Sequence, residues 1–265
     1  MQGFRFAIAA GSVRKGGDTV IAYTVTCTNG GEDPVAIGVE RIRTALKTDY
    51  EKQRNQHRAW WRRFWGHSSV KVPDKLVQQR YNLVQYFYGA ASRRGAPPIP
   101  LQGVWTADEG KLPPWKGDYH HDLNTQLTYW AYQAADHLEE GLCFLDFLWD
   151  QLPQARKFAR EFYGTDGACM PGVAALDGQP LGGWAMYTVV PANSAWLAHS
   201  FYMHWLYTQD RVFLGERAYP WCAEVGACIA ELLERDGRGK LVLPLSASPE
   251  YHDNTLKAWM KPNTN

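Results

Sequence analysis

The chain has 265 residues, 45% apolar and 21% charged, and its 28 Lys and Arg against 27 Asp and Glu leave a net charge of +1. That balance excludes a disordered tail and a small disulfide-stapled scaffold, and it gives no electrostatic reason for a nucleic acid or an anionic membrane as partner. No run approaches the roughly 18 apolar residues that a bilayer span requires. The residues in excess are aromatic, 12 Trp, 14 Tyr and 10 Phe. Rings in that number either fill wide spaces between helices or build walls that stack flat, polar-edged ligands such as sugars or bases.

The first 45 or so residues read as β. Phe4, Phe6 and Ile8 alternate with Arg5 and Ala7, and Ile21, Tyr23, Val25 and Cys27 alternate with Ala22, Thr24 and Thr26. Turn residues at Asn29-Gly30-Gly31 and Asp33-Pro34 precede a third predicted strand, Val35 to Val39. Three short strands cannot enclose a core, so this segment reads as the end of a larger β-domain. A helix follows from the capping pattern Thr48-Asp49-Tyr50-Glu51 to about Trp65, and its basic residues around Trp61, Phe64 and Trp65 read as the solvated face of a helical linker. The resulting division is 1–46, 47–72 and 73–265.

From Asp74 onward the periodicity is helical. Leu76, Val77, Leu83, Val84, Phe87 and Ala91 form one predicted face, and Leu123, Leu127, Trp130 and Ala134 another. Further helices are predicted over Glu139–Asp150, Pro153–Tyr163, Pro191–Thr208 and Pro220–Arg235, with Gly164 and Gly237 as stops. Two connections, Gly95 to Gly117 and Gly164 to Gly183, are much longer than ordinary helix–helix loops, and such loops are usually functional. The five cysteines, Cys27, Cys143, Cys169, Cys222 and Cys228, are odd in number and contain no CxxC, so they read as small buried hydrophobes. Met1 is followed at once by strand-like sequence with no basic region or apolar signal core, so the chain carries no recognisable export signal and its compartment is unassigned.

The first long connection delivers Leu101-Gln102-Gly103-Val104-Trp105 and then Trp115-Lys116-Gly117-Asp118-Tyr119-His120-His121-Asp122-Leu123-Asn124. Two Trp, two His, two Asp and an Asn at the mouth of a helix are the parts of a polar pocket with stacking walls. Asp122 and Asn124 lie about 200° apart on a helix, so they share a pocket only where the chain is extended or in its first turn. The plainer alternative makes Asp118 or Asp122 the N-cap and turns the His pair to solvent. The second segment is Ser246-Ala247-Ser248-Pro249-Glu250, where a rigid turn can hold a partly desolvated carboxylate whose raised pKa suits a general acid. An ordinary turn glutamate is the competing reading.

Taken together, these segments resemble glycoside hydrolase family 95, whose best-known members are inverting α-L-fucosidases, from about Asp49 to Asn254. Ser92 to Trp105 is similar to the family's Ser-Ser-Arg, Pro and Leu-Gln-Gly-Ile-Trp run. Residues Asp118 to Asn124 resemble its Asp-Tyr-His-Thr-Asn-Ile-Asn, and Tyr129-Trp130, Phe213-Leu214, Ala218-Tyr219-Pro220 and Ser248-Pro249-Glu250 follow in the family's order. The resemblance implies a mainly α fold, a partial (α/α)6 toroid preceded by the end of a β-sandwich and a helical linker. It implies no cofactor and no metal, and an oligosaccharide or glycoconjugate as partner.

By the same resemblance Glu250 is the general acid, Asp122 and Asn124 fall on the two asparagines that hold the attacking water, and His120 falls on a sugar contact. An inverting pair of this kind stands about 6.5–9.5 Å apart across the sugar. His121, Trp105, Trp115, Trp184 and Asp118 complete the expected sugar-binding set. Three departures stand out: Asp122 replaces an amide, Tyr251 replaces the Asn after Ser-Pro-Glu, and Gly183 to Thr188 replaces a His-rich segment. The 192 residues from Asp74 onward are too few for twelve helices, so the chain reads as a fragment from within the sandwich to about halfway round the toroid. A non-catalytic carbohydrate-binding toroid fragment is the second reading, and a metal site on His120, His121, Asp122 and His137 the third.

Overall fold

Two twelve-residue strands, β1 (Phe4–Lys15) and β2 (Asp18–Asn29), pair antiparallel around Gly16-Gly17, with Lys15 opposite Asp18 and Phe6 opposite Cys27. The computed structural model describes residues 4–29, 32–103, 111, 115, 117–182, 185–244 and 246–247. Val35 to Val39 is helical, which corrects the expected third strand. Asp33 accepts a hydrogen bond from Val35 N and Pro34 sits in the first turn, so the supposed turn pair is the start of α1 (Pro34–Lys47). Small residues turn one face of the hairpin toward α1. A Cβ on Gly38 would lie 3.1 Å from Ala9 Cβ, and one on Gly11 would lie 2.8 Å from Ile42 Cγ2. Buried Thr26 donates to Pro34 O at 2.6 Å, and the larger Phe6, Ile8, Ile21, Tyr23 and Val25 lie on the opposite, exposed face. Helix α2 (Tyr50–His67) follows; Asp49, not Thr48, supplies the capping oxygen, 2.8 Å from Lys52 N.

The chain divides by internal contacts into two units, residues 1–66 and 67–265. The second begins with α3 (Lys75–Ala91), capped by Asp74. Its buried stripe is Gln85, Tyr88 and Gly89, whereas Leu76, Val77, Leu83 and Val84 are exposed. Hydrogen bonding decides this rotation. Tyr88 OH donates to Thr128 O, and the Ser92 and Tyr129 hydroxyls meet at 3.0 Å. The helix expected over Leu123 to Ala134 shrinks to α4 (Asn124–Thr128), because the chain turns back through Asp136 at φ 55° and His137 N bonds Tyr132 O. Tyr129 and Tyr132 are buried there, while Trp130, on the predicted apolar face, is 56% exposed.

Helices α5 (Leu138–Asp150) and α6 (Leu152–Phe158) follow, α6 running on through a π-helical turn to Tyr163 and stopping at left-handed Gly164. Helices α7 (Ala185–Thr188), α8 (Ala192–Thr208), α9 (Arg211–Phe213) and α10 (Tyr219–Leu232) complete the helical part. Phe201 and Trp221 stack at 4.9 Å in its core, and Tyr129 on Phe144 at 4.8 Å. Gly237 does not stop α10, which ends at Leu232; it lies in the turn of a small hairpin pairing Glu234–Arg235 with Leu241–Val242. Cys143, Cys169 and Cys228 are buried, whereas Cys27 is exposed. Among the described residues no helix is long and apolar enough to cross a membrane.

Candidate active site

The two long connections meet through their backbones. Strand β3 (Tyr119–His120) pairs antiparallel with β4 (Val173–Ala174), and His121 N donates to Gly172 O at 2.7 Å. Strand alternation then separates neighbouring side chains. Tyr119 is buried against Phe147 at 4.4 Å and donates to Pro98 O at 2.9 Å. His120 turns the other way, into a cavity of about 350 Å³ lined by Leu101, Gln102, Trp115, His120, Asp122, Asn124, Val173 and Tyr187. That volume is within the range of small-molecule sites.

The strand-to-helix turn is pinned from α4. Thr125 Oγ1 donates to His120 O at 2.8 Å and Gln126 Nε2 to His121 O at 2.5 Å. Leu123 is the N-cap, with no side-chain capping bond, so neither Asp118 nor Asp122 caps the helix. Asp122 stands just before α4 and Asn124 is its first residue, the one placement in which both reach the same cavity.

His120 Nε2 lies 3.1 Å from Asp118 Oδ1, with both side chains nearly buried. The Trp115 ring stands edge-on to His120 at 5.4 Å, and Gln102 Oε1 accepts from Trp115 N at 3.1 Å. Four expected site residues, Trp115, His120, Asp122 and Asn124, therefore line one cavity, and a fifth, Asp118, stands beside one of them, His120. His121 does not join them. It is 0% exposed between Tyr119 and Phe147, and desolvation, with a smaller contribution from His120, pushes its pKa down to about 3, so it is a neutral interior ring. His137 is remote from this group, at the head of α5 and stacked on His67 at 6.1 Å. Among the described residues no three His, Cys, Asp or Glu side chains are grouped to hold a metal ion.

Trp105, Trp184 and Glu250 lie outside the described residues. Ala247, which precedes Glu250 by three residues, donates its N–H to Val189 O at 2.7 Å, two residues beyond Tyr187. Sequence reasoning missed Tyr187 and Gln102 as lining residues. From the Gly183 to Thr188 segment only Trp184 was expected in the site, and a tyrosine carries no mark that separates a cavity wall from core.

These walls belong to a helical domain with a polar, aromatic-edged cavity between two loops, and the comparisons with known proteins name its class. Residues 39–263 match the model of the glycosyl hydrolase family 95 catalytic domain, so the chain belongs to that family. It is 32% identical over 199 residues to probable alpha-fucosidase A of Aspergillus niger, covering 69% of this chain and 24% of the relative. Alpha-L-fucosidase 2 of Arabidopsis thaliana is 29% identical over 178 residues, covering 66% and 21%. The chain thus spans about a quarter or less of the length of the curated relatives it matches. A putative kojibiose phosphorylase from human microbiome superposes with a TM-score of 0.72 at 14% identity, over 95% of this chain and 36% of that one. The likeness concerns the fold, which is mainly α and part of an (α/α)6 toroid.

Proposed function

We propose that the cavity is part of the active site of an inverting glycoside hydrolase that cleaves an α-glycosidic bond, with α-L-fucosides as the substrate class suggested by the named relatives. The observation that carries the reading is the convergence of Trp115, His120, Asp122 and Asn124 on one cavity within the family-matched region. Trp115 offers a ring edge beside the sugar face, and His120, oriented by Asp118, offers a hydrogen bond to a hydroxyl.

In this mechanism Asp122 and Asn124 hold water against the anomeric carbon. Asp122, a carboxylate where the family has an amide, takes the water's proton as its oxygen attacks. Glu250 delivers a proton to the departing glycosidic oxygen from the opposite side of the sugar. No side chain becomes bonded to the sugar, so a single displacement inverts the anomeric centre.

The test is hydrolysis of an α-L-fucosyl disaccharide followed by proton NMR, on this chain and on any longer chain that carries it, with calorimetric titration alongside. β-L-Fucose as the first-formed product supports the proposal, and α-L-fucose first overturns inversion. Heat of binding without product from every chain assigns the site to the second reading, carbohydrate binding without turnover.

A further inference from the structure

Cys169 and Cys228, each at most 1% exposed, lie far apart in sequence but share one buried cluster with Phe158 and Ala159. The 164–183 connection is pressed onto α10 at this point. Ala168 N donates to Glu224 O at 3.0 Å, and a Cβ built on left-handed Gly167 would lie 2.8 Å from Cys228 N. Only a glycine permits that approach, and it brings residue 169 alongside residue 228. Hydroxyls flank both sulfurs: Thr165 Oγ1 is 3.1 Å from Cys228 Sγ, and Ser194 Oγ is 3.5 Å from Cys169 Sγ. The neighbouring Cys169 thiol draws Cys228 below the ordinary thiol range, and the neighbouring Cys228 thiol together with burial raises Cys169. Cys169 Sγ also reaches Met170 O at 3.8 Å; elsewhere Cys143 Sγ bonds Glu140 O, Cys222 Sγ bonds Ala198 O, and Cys27 is exposed on the hairpin.

We propose that Cys169 and Cys228 are a disulfide-forming site, joined when the chain folds or opens in the presence of a small-molecule disulfide such as glutathione disulfide, so that the 164–183 connection is stapled to α10. The Cys228 thiolate attacks one glutathione sulfur and releases glutathione thiolate, leaving a mixed disulfide. Cys169 then gives up its proton and attacks the Cys228 sulfur, releasing the second glutathione. Two thiols lose two protons and two electrons, and one glutathione disulfide becomes two glutathiones. Because both sulfurs are shut from solvent, exchange takes place while the connection is off the helix, and reclosure then shields the bond. The staple closes a loop of about 60 residues and fixes the stretch that leads to Val173 on the cavity wall.

The experiment is refolding of the whole chain in a glutathione redox buffer, acid trapping, alkylation of free thiols under denaturing conditions and peptide mapping. The expected result is a Cys169–Cys228 cross-linked peptide with Cys27, Cys143 and Cys222 alkylated. Five alkylated cysteines, or either residue cross-linked elsewhere, overturns the proposal. The oxidised chain should melt on the order of 10 °C above the same chain in dithiothreitol, given the length of the closed loop and the size of the unit. Equal midpoints contradict the staple even if a cross-link is found. Both readouts use the unmodified chain, so neither depends on a cysteine variant folding, and neither depends on the proposed hydrolase activity.

Discussion

Gly172 holds the two walls of the cavity together, which makes Gly172→Ala an informative perturbation. A Cβ at this position would sit 1.8 Å from Tyr187 O, 2.9 Å from its carbonyl carbon and 3.1 Å from Val190 Cγ2. Ordinary contact begins near 3.4 Å, so the backbones must part by roughly 1.6 Å. The obstacle is main chain and cannot swing aside as a side-chain tip would. The same residue's carbonyl accepts from His121 N, so displacement toward the other side strains the β3–β4 pairing. We expect a cost at or above the upper end for overpacking, about 3 kcal/mol, and a Tm lower by roughly 6–12 °C for a unit of this size. Gly182→Ala, where an added Cβ meets nothing within 4 Å, is the control and should stay near wild type. Thermal unfolding by circular dichroism reads both. If Gly172→Ala melts within about 1 °C of Gly182→Ala, the packing of Gly172 against Tyr187 is not as described. Where a fucoside is hydrolysed, the rate should fall with the stability, because a displacement near 1 Å at a positioning wall can cost about 10²-fold in rate.

Three further outcomes are expected. Burial pushes His121 down to about 3 and His137 and His204 to about 4, so the unfolded chain takes up protons that the folded chain refuses. Stability is therefore full above pH 6.5 and falls as pH drops from there toward 4, by up to about 1.4 kcal/mol per pH unit for each ring, and His204→Gln should flatten the slope measured by urea titration. The Glu224 carboxylate is held below its usual range by Arg156, 2.6 Å away, so its contribution is present above the ordinary carboxylate pKa and lost as pH falls through the lowered one. Since that pair is partly exposed, Glu224→Gln should change stability at neutral pH by less than about 1 kcal/mol and remove only this acidic part of the profile. Asp122→Asn, which restores the family's amide, should lower turnover by about 10²- to 10⁴-fold if its carboxylate is the base, and a rate near wild type in steady-state hydrolysis would leave Asp122 only positioning water.

Helix positions were legible where a capping side chain or a left-handed glycine marks them, as at Asp74 and Gly164. They were misread where an apolar pattern competes with hydrogen bonds made elsewhere. The Leu76 and Leu83 stripe is the more hydrophobic side of α3, yet Tyr88 and Ser92 turn the opposite side inward because their hydroxyls have partners on residues 128 and 129. The hairpin shows the same limit. Its large residues define the alternation, but α1 packs on the smaller ones, Ala9, Gly11 and Thr26, which admit a helix that close. Residues 118–124 marked the site because the spacing of Asp122 and Asn124 limits where both can face a cavity. The separation of His120 from His121 follows from strand pairing with Val173, a contact more than fifty residues away that no local pattern contains.

We propose that a glycosidic bond is cleaved with Glu250 as proton donor and the His120, Asp122 and Asn124 cavity as the water side. The most direct measurement is the hydrolysis rate of Glu250→Gln on a pair of α-L-fucosides, one with a poor alkyl leaving group and one with an activated aryl leaving group. A fall of about 10²- to 10⁴-fold on the alkyl fucoside with a much smaller fall on the aryl one is predicted, because only the poor leaving group needs the proton. Wild-type-like rates on the alkyl fucoside would contradict it.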